Sequence, residues 1–180
     1  MRYILSLILC VFVACFVACG DSTTSSAQSN PIQSKNPPLI SFLPNQSIDS
    51  DTTMIIFGSN NCASCTRLKD LMAKSEALSI ALRDYHLYYI NISEGGEHII
   101  NIDDSQKALS TQNLKDYFAI YVTPTIIFLR EGRFVFGYPG FISEARLLDT
   151  IATLKSMDLS ALHRDDIAHI VVESYKRHGI

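Results

Sequence analysis

Apolar positions in this 180-residue chain form one early unbroken run, then short blocks whose period alternates between strand and helix. Tyr3 to Ala18 is apolar apart from Ser6. It is shorter than the roughly 20 residues that span a bilayer comfortably. Residues 20–38 are rich in Ser, Thr, Asn and Pro and nearly free of large apolar groups, which predicts a flexible tether. Leu39–Leu43 begins the packed region as a short strand or helical turn. Thr52–Phe57 is an apolar run that predicts a buried strand, and Gly58 to Asn61 breaks it. From Cys62 to about Leu82, Leu68, Leu71, Met72, Ala77 and Leu78 recur at helical spacing. Tyr85–Ile92 predicts a second strand, rich in aromatic and branched side chains.

Ser93–Asp104 contains Gly95-Gly96 and Asp103-Asp104 and predicts mostly loop, with a helix from about Ser105 to Phe118. Thr125–Arg130 and Arg133–Tyr138, joined by Glu131-Gly132, predict a β-hairpin. Ser143 should cap a helix running to about Lys155, with Glu144 in its first turn. Ile167, Ile170, Val171 and Tyr175 give the last segment an apolar stripe, as expected of a docked helix. The order strand, helix, strand, helix, strand, strand, helix predicts an α/β fold. Its mixed central sheet would be flanked by helices, with an extra C-terminal helix. The expected organisation is an N-terminal signal over 1–19, a linker over 20–38, a domain over 39–155 and a helical extension over 156–180.

Charge changes this picture little. The formal net charge is -3 and there is no Lys/Arg run, so nothing favours nucleic acid. The N-terminus is more informative. Met1-Arg2, the apolar run and the small Ala18 match a secretory signal. Phe16-Val17-Ala18-Cys19 resembles a bacterial lipobox, with Phe16 where Leu is usual and Cys15 as a weaker competing site. That resemblance implies lipidation of Cys19 and a periplasmic domain held to a membrane by its lipid. The competing readings are an uncleaved anchor helix, or Cys10, Cys15 and Cys19 as apolar filler.

If those three cysteines belong to the signal, the exported domain holds only Cys62 and Cys65. They follow an apolar strand directly and open a helix. There, free N–H groups and the helix dipole stabilise a negative sulfur, lowering a thiol's pKa. The thiolate is the attacking species in disulfide exchange. Cys62 is therefore the expected nucleophile, and Cys65, one turn later, the resolving thiol. Zinc would need about four ligands, and His86, His98, His163, His169 and His178 are scattered. Covalent haem attachment would need His after the second Cys, where Thr66 stands. No metal and no cofactor is expected, and no GxGxxG follows a strand to mark a nicotinamide or flavin site. The rival reading is a lipid-anchored binding module whose pair is a structural disulfide, or a soft-metal (copper) site.

Three features in order, from about Thr52 to Leu154, resemble the thioredoxin superfamily. They are Phe57-Gly58-Ser59-Asn60-Asn61-Cys62-Ala63-Ser64-Cys65, the segment Tyr117 to Thr125 with Val122-Thr123-Pro124-Thr125, and the hairpin ending Gly137-Tyr138-Pro139-Gly140. The resemblance implies that Pro124 is a cis-proline facing the cysteines and that Thr123 offers its backbone to an extended substrate. A trans proline merely starting the strand is the alternative. The chain departs from the family at several places. Asn61 replaces the usual Trp, Ile56 stands where a buried acid is usual, and Tyr89 stands where a lysine is usual. The Thr before the proline is similar to the reducing and isomerising extracytoplasmic members of the family, and the chain most resembles bacterial periplasmic thioredoxin-like reductases. That implies a reductase of exported proteins, with disulfide- or thiol-bearing substrates and a membrane-bound electron donor.

Overall fold

The computed structural model describes residues 40–41, 47–48 and 51–180. The chain divides into units 1–32 and 33–180, and every described residue lies in the second. The signal, the lipidation candidate Cys19 and the 20–38 linker fall outside the described residues.

In chain order the elements are β1 (Ile40–Ser41), β2 (Ser47–Ile48), β3 (Thr52–Gly58), α1 (Ala63–Lys74), α2 (Glu76–Ala81), β4 (His86–Asn91), β5 (Glu97–Ile102), β6 (Ser105–Ser110), α3 (Thr111–Tyr117), β7 (Thr125–Arg130), β8 (Arg133–Pro139), α4 (Glu144–Ser156) and α5 (Arg164–His178). A five-stranded sheet has the order β1-β4-β3-β7-β8. β3 runs parallel to β4 and antiparallel to β7, so the sheet is mixed. β3 sits at its centre with both faces covered, which is why Met54 to Phe57 is continuously apolar.

Alternation along the strands feeds two cores. Met54, Ile56, Ile126 and Phe128 face the helices, meeting Leu68 and Met72 of α1, Leu78 of α2, Leu147 and Ile151 of α4, and Val171 of α5. Ile55, Phe57, Ile127 and Leu129 face the other way, toward Ile100, Ile102, Leu114 and Phe118. The C-terminal α5 packs on α4 as an integral layer.

Two expectations need correction. The helix expected from Cys62 to Leu82 is two helices. Ser75 leaves helical geometry (φ -82°, ψ 114°), and its hydroxyl accepts from the Leu78 N–H at 3.0 Å, capping α2. The loop expected over Ser93–Asp104 and the helix expected from Ser105 are largely a hairpin, with the helix starting only at Thr111. Asp103 and Asp104 form its two-residue turn with φ of 52° and 57°, as in a type I′ connection. With β2, this hairpin makes a second sheet of order β2-β5-β6.

Candidate active site

The site is built where β3 ends. Gly58 closes the strand, and Asn61 takes a left-handed conformation (φ 57°) that swings the chain into α1. The loop is pinned from β4 and the segment after it. The Asn91 amide donates to Asn60 Oδ1 at 2.8 Å, and the Asn60 N–H donates to Ser93 Oγ at 3.0 Å. Cys62 is the N-cap of α1, with extended backbone (φ -94°, ψ 96°). Its carbonyl accepts from the N–H groups of Cys65 and Thr66, both at 3.1 Å. Its sulfur accepts from the Cys65 N–H at 3.1 Å. Sulfur thus occupies the place of a capping oxygen, where the partial positive charge of the helix terminus is concentrated.

Cys62 and Cys65 form a disulfide, with Cα atoms 5.2 Å apart. The two sulfurs differ in access. Cys65 is only 3 % exposed, whereas Cys62 is partly open to solvent. The Thr123 hydroxyl donates to Cys62 Sγ at 3.6 Å and lies 2.8 Å from Ser59 Oγ. With Ser59 donating to Thr123, a short chain of hydroxyls ends on the sulfur. The Thr123–Pro124 peptide bond is cis. Pro124 is buried, and its carbonyl accepts from the Gly140 N–H at 2.7 Å, tying this turn to the end of β8. Cys62, Cys65, Thr123 and Pro124, expected from the sequence to act together, therefore lie in one place.

Exposed apolar side chains flank this turn in the chain. Tyr121 is 88 % exposed and Val122 49 %, directly before the cis bond. Phe141, which follows Gly140 in the chain, is also exposed, with the Arg67 guanidinium 4.5 Å above its ring. A polar cavity of about 610 Å³ adjoins the disulfide. Its walls include Asn60, Cys62, Cys65, Lys69, Tyr89 and Asn91. Ile56 is fully buried, so no carboxylate stands beneath the cysteines at that position.

The histidines take no part here. His98 is buried on β5 with Nε2 2.8 Å from Thr111 Oγ1, and the His163 side chain caps α5. Among the described residues no group of three or more His, Cys, Asp and Glu could hold a metal ion. None of the described helices is long and apolar enough to cross a membrane. Ser59 and Lys69 were not singled out by the sequence. Lys69 lies one helical turn beyond Cys65, an i,i+4 relation that could have marked it.

The profile of the thioredoxin-like domain family matches residues 46–155, more than half of the chain. The chain belongs to the thioredoxin-like family. Members of this family are generally thiol–disulfide oxidoreductases. No curated protein matches the chain. Among solved structures, a thioredoxin-fold protein from Helicobacter pylori is 21 % identical with a TM-score of 0.64, over 82 % of this chain and 94 % of that one. Thioredoxin O2 from Arabidopsis thaliana, in its oxidised state, is 20 % identical with a TM-score of 0.44, over 58 % and 76 %. Thioredoxin f2 from Chlamydomonas reinhardtii is 19 % identical with a TM-score of 0.44, over 65 % and 89 %. The first of these likenesses is one of fold. The thioredoxin-like domain here carries its cysteine pair at disulfide distance, at the helix terminus.

Proposed function

We propose that this protein is a thiol–disulfide oxidoreductase that reduces disulfides in exported proteins. One observation carries the reading: a partly exposed Cys62 sulfur caps α1 and faces the Thr123 hydroxyl at 3.6 Å, with Cys65 buried behind it. In the reduced protein the same N–H and hydroxyl donors would hold a Cys62 thiolate. That thiolate attacks one sulfur of a substrate disulfide. A Cys62–substrate bond forms, the substrate S–S bond breaks, and the second substrate sulfur leaves as a thiolate. Cys65 then attacks Cys62, forming the internal disulfide and expelling the first substrate sulfur. The substrate gains two electrons, and the protein is left oxidised.

Return to the dithiol takes two electrons and two protons from a dithiol donor, which we assign to a membrane-bound partner. Exposed Tyr121 and Val122, leading into Thr123–Pro124, offer apolar contact and backbone groups to an extended substrate segment. The apolar run Tyr3–Ala18 followed by Cys19 supports export and lipid anchoring, which would hold the domain in the periplasm beside that donor.

A Cys65→Ser variant expressed in cells tests the reading. Without the resolving thiol, mixed disulfides through Cys62 should accumulate and be recovered with their substrates, and Cys62→Ser/Cys65→Ser should recover none. Absence of adducts, together with a Cys62–Cys65 bond that resists dithiol reductants in the folded protein, would leave the pair a structural clasp.

A further inference from the structure

The resolving step poses a problem that the main-chain geometry does not solve. Cys62 has the helix terminus, an N–H and a hydroxyl to support its charge. Cys65 lies inside the first turn, 3 % exposed, where burial opposes ionisation of a thiol. It must nonetheless become a thiolate to attack Cys62. The groups able to help are those sharing its cavity. Besides the two cysteines, only Lys69 and Tyr89 among the wall residues are titratable, and Ile56 leaves no carboxylate below.

These two side chains are arranged as a unit. The Lys69 ammonium lies 3.5 Å from the centroid of the Tyr89 ring. The Tyr89 hydroxyl occupies the space of a missing side chain on Gly58: a Cβ there would lie 1.9 Å from the hydroxyl oxygen. Gly58 thus admits the phenol to the end of β3, where the loop to Cys62 begins. The hydroxyl makes no hydrogen bond with another described residue while the disulfide is closed. Lys69 has no carboxylate partner among the described residues. A cation against the ring draws electron density from the phenol and strengthens its O–H as a donor.

We propose that Tyr89 and Lys69 stabilise the Cys65 thiolate for the resolving attack, Tyr89 by donating a hydrogen bond directly or through cavity water, Lys69 as a positioning residue acting through the ring. This rests on the exchange function proposed above. In the step itself the Cys65 proton passes to cavity water, the Cys62–Cys65 bond forms, and the Cys62–substrate bond breaks with its electron pair leaving on the substrate sulfur.

Quenched-flow on the full-length reduced chain tests it, with oxidised glutathione as the probe. Acid quenching and mass analysis of the peptide bearing Cys62 and Cys65 separate the glutathione adduct from the internal disulfide. Signals from Cys10, Cys15 and Cys19 then do not interfere. Tyr89→Phe should leave adduct formation within about twofold of the unsubstituted protein. It should slow resolution about tenfold and shift the pH profile of resolution upward by about one unit, the size expected for one hydrogen bond to a charged group. Lys69→Met should act in the same direction, Lys69→Arg should restore most of the rate, and Tyr89→Phe/Lys69→Met should be no slower than Tyr89→Phe alone. Lys69 is exposed on α1, so its variants carry the test should Tyr89→Phe fold poorly. Unchanged resolution and pH profile in Lys69→Met, or equal slowing of both steps, would overturn the proposal. No adduct in the unsubstituted protein would count against the exchange function instead.

Discussion

The two faces of the central sheet are covered by different means. On one side, four helices pack over Met54, Ile56, Ile126 and Phe128. On the other, a small sheet and α3 cover Ile55, Phe57, Ile127 and Leu129. The first face is joined to the chemistry directly, because α1 carries Cys62 at its cap and Leu68 in the core below. The second reaches the site through buried Phe118 and Ile120, which lead the chain into Thr123, and is locked at its far end. There the Asp103 N–H donates to the Gly132 carbonyl at 3.3 Å, and the Tyr117 hydroxyl donates to the Asp103 carboxylate. Burial and this carboxylate push the Tyr117 phenol up to about 12, so the donor stays protonated. One face thus carries the cysteines, whereas the other carries the chain into the Thr123–Pro124 turn.

Truncating one fully buried side chain on each face is the strongest way to break that contrast. Leu68→Ala in α1 and Ile100→Ala in β5 should each cost about 2–5 kcal/mol, the range for aliphatic side chains truncated in a filled core. Urea midpoints with unchanged m-values would report it. Only Leu68→Ala should also alter disulfide exchange by the folded fraction, because it loosens the helix whose terminus holds Cys62. Equal loss of exchange activity in Ile100→Ala would dissolve the distinction.

A smaller effect is expected where the hairpin turns meet. Gly132 has a φ of +72°, and a Cβ there would lie 3.0 Å from the Asn101 carbonyl oxygen. Gly132→Ala should therefore cost roughly 1–3 kcal/mol through left-handed strain and crowding against β5. Protection of amide protons should fall in β5 and β6 before α1 or α4. Uniform loss across both faces would mean that the layers open together.

The helical face was legible because its residues repeat at helical spacing and its caps are standard ones. Ser143 and Ser75 both supply hydroxyls to helix N–H groups, but Ser75 lies inside an apolar period that continues from Leu68 to Leu78, which hid the break. The cysteine pair and the Thr123–Pro124 turn were legible because a few residues in fixed order carry the chemistry. The sheet-covered face was misread for a physical reason. Ser105–Ser110 is an exposed edge strand with polar and helix-favouring residues, and its identity comes from pairing with β5 across the Asp103-Asp104 turn. The alternation of His98, Ile100 and Ile102 as buried positions was the signal available. The Lys69–Tyr89 pair was hidden for another reason. It joins a helix to a strand twenty residues away and depends on the absent side chain of Gly58.

The mildest perturbation is acidification, which through His98 should act on the sheet-covered face. His98 is buried on β5 against Thr111, and burial holds its imidazole below the usual histidine range. In the unfolded chain the ring takes up a proton as the pH drops through about 6.5, while the folded protein resists doing so. The unfolded state then binds more protons, so this contribution to stability is complete above about pH 6.5 and is lost as the pH falls toward the folded-state value. Between pH 7.5 and pH 5, urea midpoints should fall in the unsubstituted protein and fall less in His98→Gln. Amide exchange corrected for intrinsic rates should place the loss in β5, β6 and α3, leaving α1 and its cysteines protected. Were His98→Gln to keep the full pH dependence, the acid-sensitive element would lie elsewhere, and the two faces would not differ in this respect.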